Sequence, residues 1–280
     1  MKKFSDAPSA SLLFKFAVCS SFAFALAAST SAHYSTYWED GVHVWEISGT
    51  VDTTMSSHWY GRLVISANNV KLNMNQCNII GNGTGIGIFV DSSVSGVKIS
   101  NPSGNNGAVF YFNIGVYAYY ADACTLWSIS SDECNYDGFL FLNCSDPYVL
   151  GCAAYGRNYH GIEFNACTSP DERGSLVSGC GHSGIWFQGC EGPYSYLSST
   201  DYNTYYGHVQ LDITTNDFYY LRCTATGNGT DGFTANNADG LYDSCVSSYN
   251  TCGFSEGNGS SVDYDDCTGV GNVAALFCSW

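Results

Sequence analysis

Glu163, Asp212 and three histidines, His160, His182 and His208, are the residues of this chain whose types and positions suit proton transfer. A carboxylic acid beside a carboxylate can protonate a leaving oxygen and activate water, and histidine gives or takes a proton near neutral pH. All of them belong to a recurring pattern: His160 precedes Gly161, Glu163 follows it, His182 stands before Gly184, and His208 and Asp212 follow Gly207. Aromatic and amide side chains occupy related positions: Tyr117, Tyr119, Asn165, Trp186, Gln188, Gln210 and Asn236. Aromatic faces stack on ligand rings and amides bond polar groups, so the set reads as a ligand-facing surface with candidate acid/base groups.

The elements that position these residues follow from the glycines. Gly115, Gly138, Gly161, Gly184 and Gly207 are spaced 23 apart, and Gly232 and Gly253 continue the series. Each opens an apolar run of period two, as in Gly138-Phe-Leu-Phe-Leu and Gly184-Ile-Trp-Phe-Gln. A fixed period of this size means a solenoid. Leucine is too sparse for a leucine-rich repeat, and no segment has helical periodicity. Each unit holds several short strand-like runs divided by Asn, Gly, Asp and Ser, which predicts three strands and three turns per coil. The expected fold is all-β: a right-handed, single-stranded parallel β-helix of about 23 residues per coil, with equivalent residues stacked ~4.8 Å apart. Its divisions are a signal peptide over residues 1–32, an N-terminal capping segment over 33–62 and the β-helix over 63–280.

Alternation then assigns faces. Val116, Phe139, Ile162, Ile185 and Phe233 point inward, so Glu163, Asn165, Trp186 and Gln188 point to solvent. In the Gly207 unit the apolar pair is Val209 and Leu211, which places His208, Gln210 and Asp212 outward. Glu163 and Asp212 are then two coils apart, ~10 Å along the stack, near the upper end of the ~6.5–9.5 Å used by inverting glycosidases. The turn before the strand adds Asp137, His160, His182, Tyr206 and Asp231 to the same region.

The run from Leu63 to Asn75, the following Ile79-Ile-Gly-Asn-Gly, and later units such as Asp137–Cys144 and Ser183–Cys190 resemble the pectate-lyase-like parallel β-helix superfamily. The resemblance covers roughly residues 40–280. It implies a polysaccharide partner held in a groove on the glycine-led sheet, and hydrolase or lyase chemistry. It supplies no catalytic residue, because no family motif is matched. There is no Asp-Pro-His and no Arg-x-Lys, and Gly181-His182-Ser183 and Asp265-Asp266 are only partial echoes. A lyase base is poorly provided for by Arg62, Lys71, Lys98, Arg157, Arg173 and Arg222, the basic residues after position 32; Arg157 is the best placed. Two readings remain open: a secreted protein that binds or processes carbohydrate, and a non-catalytic extracellular protein with a structural or adhesive role.

Composition narrows the partners. The N-terminus carries Lys2, Lys3 and an apolar run from Phe16 to Ala28, which reads as an export signal and is too short to span a bilayer. The expected location is outside the cell, in the periplasm or on the surface, with no transmembrane segment. Without residues 1–32, which hold three lysines and one aspartate, the formal charge of −16 becomes −18. So acidic a chain lacks the basic footprint that nucleic acid requires. Cys144, Cys167 and Cys190 recur at the coil period, as do Cys223, Cys245 and Cys267 at 22, and read as ladders of small buried residues. No Cys-x-x-Cys pair occurs, and no cofactor or metal is expected, apart from a calcium alternative at Asp265-Asp266 that competes with an ordinary charged turn. Asn82, Asn143, Asn228 and Asn258 begin glycosylation sequons that turn roles also explain.

Overall fold

The computed structural model describes residues 34–39, 41–103, 107–156, 159–213 and 217–279. The expected signal peptide and Arg157 lie outside the described residues. Those residues form strands and turns with no helix, and so no helix long and apolar enough to cross a membrane.

Three sheets run the length of a rod. The glycine-led sheet has 12 strands, the second sheet 10 and the third 9, and the chain visits them in rotation. Neighbours within each sheet are successive coils, paired in parallel: Phe139 lies on Ile162, Ile162 on Ile185, and Ile185 on His208. This is the parallel β-helix anticipated from the period. Backbone donors and acceptors are satisfied by the coil above and the coil below, so a strand of three residues such as Tyr148–Leu150 suffices. At the N-terminal end Tyr34–Glu39 pairs antiparallel with Val42–Ile47, which closes that edge.

Stacking puts like on like in the core. Phe141, Phe164 and Phe187 form a column with ring centroids 5.0 Å and 4.8 Å apart. Each is fully buried, and a buried phenyl of this kind contributes ~3 kcal/mol. Cys144, Cys167 and Cys190 are likewise buried, each thiol donating 3.4 Å to a carbonyl of the preceding coil, at Ala118, Phe141 and Phe164. Cys252 and Cys278 form a disulfide between the last two coils. Asn203, Asn228 and Asn250 make a buried amide ladder in which each side-chain oxygen accepts the backbone N–H of the preceding coil. Asn228 also donates its amide to Asn250 and Thr200, so the sequon there is spent on structure.

Candidate active site

The glycine that leads the repeated strands of this sheet is a steric requirement. A Cβ on Gly161 would lie 2.1 Å from Val177 and 3.2 Å from the Cys180 sulfur, so only a bare backbone passes the third sheet here. The residue just before the glycine is therefore held at a tight corner between sheets. Asp137, His160, Ser183, Tyr206 and Asp231 occupy that corner in successive coils, and His160, Ser183 and Tyr206 are paired in register. Asp137 and His160 are 5% and 4% exposed, burial unusual for ionisable groups at the edge of a solvated face.

Four of the expected residues converge at this corner. His160 packs against Trp186, centroids 4.7 Å apart, and against His182 at 5.0 Å. His182 lies in the column of turn residues between Tyr159, at 4.7 Å, and Tyr205, at 5.1 Å. Its Nδ1 is 2.8 Å from the Ser183 hydroxyl. Glu163 faces outward, flanked in register by Leu140 and Trp186, and accepts 3.2 Å from the Asn165 amide.

The residue that sequence reasoning left unassigned is Asp137. It was visible as a corner residue one coil before His160, and only its three-dimensional neighbours give it a partner. The backbone N–H of His160 donates to Asp137 Oδ1 at 3.1 Å. Burial, then the negative charge of Glu163, push the Asp137 carboxyl up to about 7, against the lowering effect of the His160 N–H. Burial also raises Glu163, with Asn165 opposing. Asp137 thus keeps its proton up to about neutral pH while Glu163 is raised by burial alone, so the two carboxyls differ in their hold on a proton, as an acid and a base must. Burial, then the His182 charge, lower His160 to about 3, and burial lowers His182. Both imidazoles are neutral at physiological pH, and His160 Nδ1 is buried with no hydrogen-bond partner.

Three expected members do not join. His208 and Gln210 face the core, fully buried. Register overrides the local apolar pattern: His208 stacks on Ile185 and Phe233, which places Val209 over Trp186 on the outer face. A one-residue shift in phase exchanges the two faces. His208 Nε2 is 3.2 Å from the Thr224 carbonyl, and Gln210 accepts from the Tyr242 hydroxyl at 2.5 Å. Asp212 is exposed beyond the far end of the strand Tyr206–Leu211, in the turn column of Ala166 and Gly189, and accepts 2.9 Å from Asn237. Two coils along the rod and three residues along the strand separate its position from Glu163, roughly 14 Å, too far for a joint acid/base role. Asn165, Gln188 and Asn236 share the second outer column of this sheet, which Leu211 interrupts. Tyr117 and Tyr119 lie earlier on the same face, where Tyr117 packs on Phe89 at 5.6 Å and Tyr119 on Tyr120 at 4.6 Å.

No family model and no curated protein matches the sequence. Among solved structures, a rhamnogalacturonan lyase aligns over 76% of this chain and 61% of its own, at 11% identity and a TM-score of 0.44. The catalytic domain of a GH87 α-1,3-glucanase in complex with tetrasaccharides aligns over 84% of this chain and 60% of its own, at 12% identity and a TM-score of 0.44. A surface adhesin of Streptococcus pneumoniae, PfbA, aligns over 84% of this chain and 83% of its own, at 7% identity and a TM-score of 0.25. The chain spans about three fifths of the length of the lyase and glucanase chains. Likeness at this level assigns no residue, so the chemistry rests on the Asp137–Glu163 corner itself.

Proposed function

We propose that this chain is an exported glycoside hydrolase that holds a neutral polysaccharide on the glycine-led sheet and cleaves it at the Asp137–Glu163 pair. The observation that carries this reading is the carboxyl pair, with Asp137 pushed up to about 7 beside Glu163 and Trp186 next in register. Asp137, which keeps its proton up to about neutral pH, can give it to the glycosidic oxygen, with Glu163 as the outward-facing carboxyl of the pair. The Glu163 carboxylate stabilises the oxocarbenium-like centre or activates the water that attacks it. Trp186 offers an indole face to a sugar ring, and the neutral His160 and His182 suit hydroxyl groups rather than charged ones. Lyase action on a polyuronate fits less well: a carboxylate pair in a chain of net charge −16 repels a polyanion.

The test begins with a screen of neutral and acidic glycans for turnover and binding. Asp137→Asn and Glu163→Gln are expected to lower turnover on a neutral glycan by about 10²–10⁴-fold while retaining binding. Unchanged turnover in both variants would remove the assignment. Glycan binding without turnover by the wild type would favour the non-catalytic surface protein.

A further inference from the structure

The outer face of the second sheet carries a pattern that the glycan-binding reading does not use. Its strands present the first and third residues outward and bury the second, as in Thr125–Trp127 and Tyr194–Tyr196. Along the rod the face changes character. Near the N-terminal end the exposed Asp52 is followed in register by Lys71 and Lys98. Trp127, Tyr148, Tyr194 and Tyr219 follow in the middle, around the ion pair Arg173–Asp171. Asp243, Asp263 and Asp265 close the C-terminal end. Three of the six basic residues after position 32 therefore stand on one face of a strongly acidic chain, and all three precede its acidic end.

A face with a lysine pair towards one end, beside a single aspartate, an aromatic middle and three aspartates at the other end is complementary to itself when reversed. We infer that the second sheet is the interface of an antiparallel homodimer. A twofold axis beside Arg173–Asp171, parallel to the strands, lays the Lys71 end of each copy over the Asp263–Asp265 end of the other. Lys71 and Asp263 are eight strand spacings apart, ~38 Å, and the aromatic strip between them is the part that would be desolvated. Such an isologous contact closes on itself and forms no filament. Aromatic centres with charged rims are the usual anatomy of protein interfaces.

A sugar chain is the less suitable occupant, because the ring faces here are already covered. The Arg173 guanidinium lies over Tyr148 at 5.6 Å and Tyr194 at 5.1 Å, Tyr194 and Tyr219 stack on one another at 5.7 Å, and the Lys98 ammonium lies over Trp127 at 4.7 Å. What remains outward is edges and hydroxyls, which suit a second flat protein face. The glycine-led sheet stays uncovered, so both carboxyl corners remain open in the dimer.

Sedimentation velocity on the full exported chain tests this at about 0.15 M and about 1 M salt. The wild type is expected to dimerise, and more weakly at high salt. Lys71→Glu, and separately Asp263→Lys with Asp265→Lys, are expected to weaken self-association about tenfold each. These positions are exposed, and circular dichroism checks that both variants fold. An equimolar mixture of the two variants is expected to form a heterodimer of wild-type affinity, because each charge then meets its opposite. A monomeric wild type would overturn the proposal, as would a mixture that associates no better than its parts. So would a monomer that binds an anionic glycan and loses it on Tyr194→Ala, which would make the face a glycan site instead.

Discussion

His160 and His208 lie two coils apart on the same sheet, and their surroundings differ in kind. Both are almost entirely buried, and burial holds both neutral, at about 3. His160 sits at the corner before its glycine, with Asp137, His182 and Trp186 about it. His208 sits one residue after its glycine, stacked on Phe233 at 4.8 Å and edge-on to Tyr220 at 5.2 Å. Around it the core is unusually polar. Glu172, fully buried, accepts from Ser195 at 2.7 Å, from Ser198 and from the Ser175 N–H at 3.2 Å. The comparison teaches that a buried, titratable cluster is not in itself an active site. At the corner, Asp137 has a single backbone donor and lies near the charge of the outward-facing Glu163. In the core, the carboxyl is enclosed by hydroxyl donors and reaches no substrate.

Substitutions in the two regions should separate them. Glu163→Gln is expected to lower turnover by up to about 10⁴-fold with the melting temperature unchanged, whereas Glu172→Gln should leave turnover per folded molecule intact. Equal losses in both would erase the distinction.

The second measurement is the pH dependence of stability. Asp137 titrates at about 7 when folded and near ~3.9 when unfolded. Between these values the folded state binds the extra proton, so stability falls as pH rises from ~4 to ~7, by up to ~4 kcal/mol, and is flat above. His160 acts oppositely: with its pKa lowered to about 3 when folded and ~6.5 unfolded, its contribution is lost as pH falls from ~6.5 towards ~3. The two slopes oppose one another between ~4 and ~6.5. Urea titrations of Asp137→Asn should therefore show stability rising more steeply with pH in that window than in the wild type. Parallel curves would mean that Asp137 does not hold its proton up to neutral pH in the folded state.

Third, Glu172→Ala is expected to cost ~3 kcal/mol, because it opens a cavity and orphans the seryl hydroxyls that bond the carboxylate. A near-neutral result in chemical denaturation would show that the core network is loosely held. Last, His208→Phe continues the column of Phe233 and Phe254 and removes a buried ring nitrogen that has no partner. A change within ~1 kcal/mol is expected, with turnover preserved. A large loss of turnover would return His208 to the site.

Much of this was legible in the chain. Glycines 23 apart, each followed by alternating apolar residues, dictate a stack of coils, because only stacking buries the inward face of so short a unit. The cysteine ladder and the meeting of His160, Glu163, His182 and Trp186 follow from that period alone. Three placements did not. His208 and Gln210 look outward when Val209 and Leu211 are read by hydropathy, yet the hydrogen-bonded register of the whole sheet fixes their phase and turns them in. Asp212 looks close to Glu163 when coils are counted, and is remote because it lies past the end of its strand. Asp137 looks like one more turn residue, and only the corner that forces it beneath the His160 N–H and near Glu163 raises its carboxyl to about 7. Period and side-chain size, both readable along the chain, dictate the repeat, the stacking and the identity of the polar corner column. The tertiary structure alone decided which of those groups are buried together, because burial and mutual charge depend on neighbouring coils.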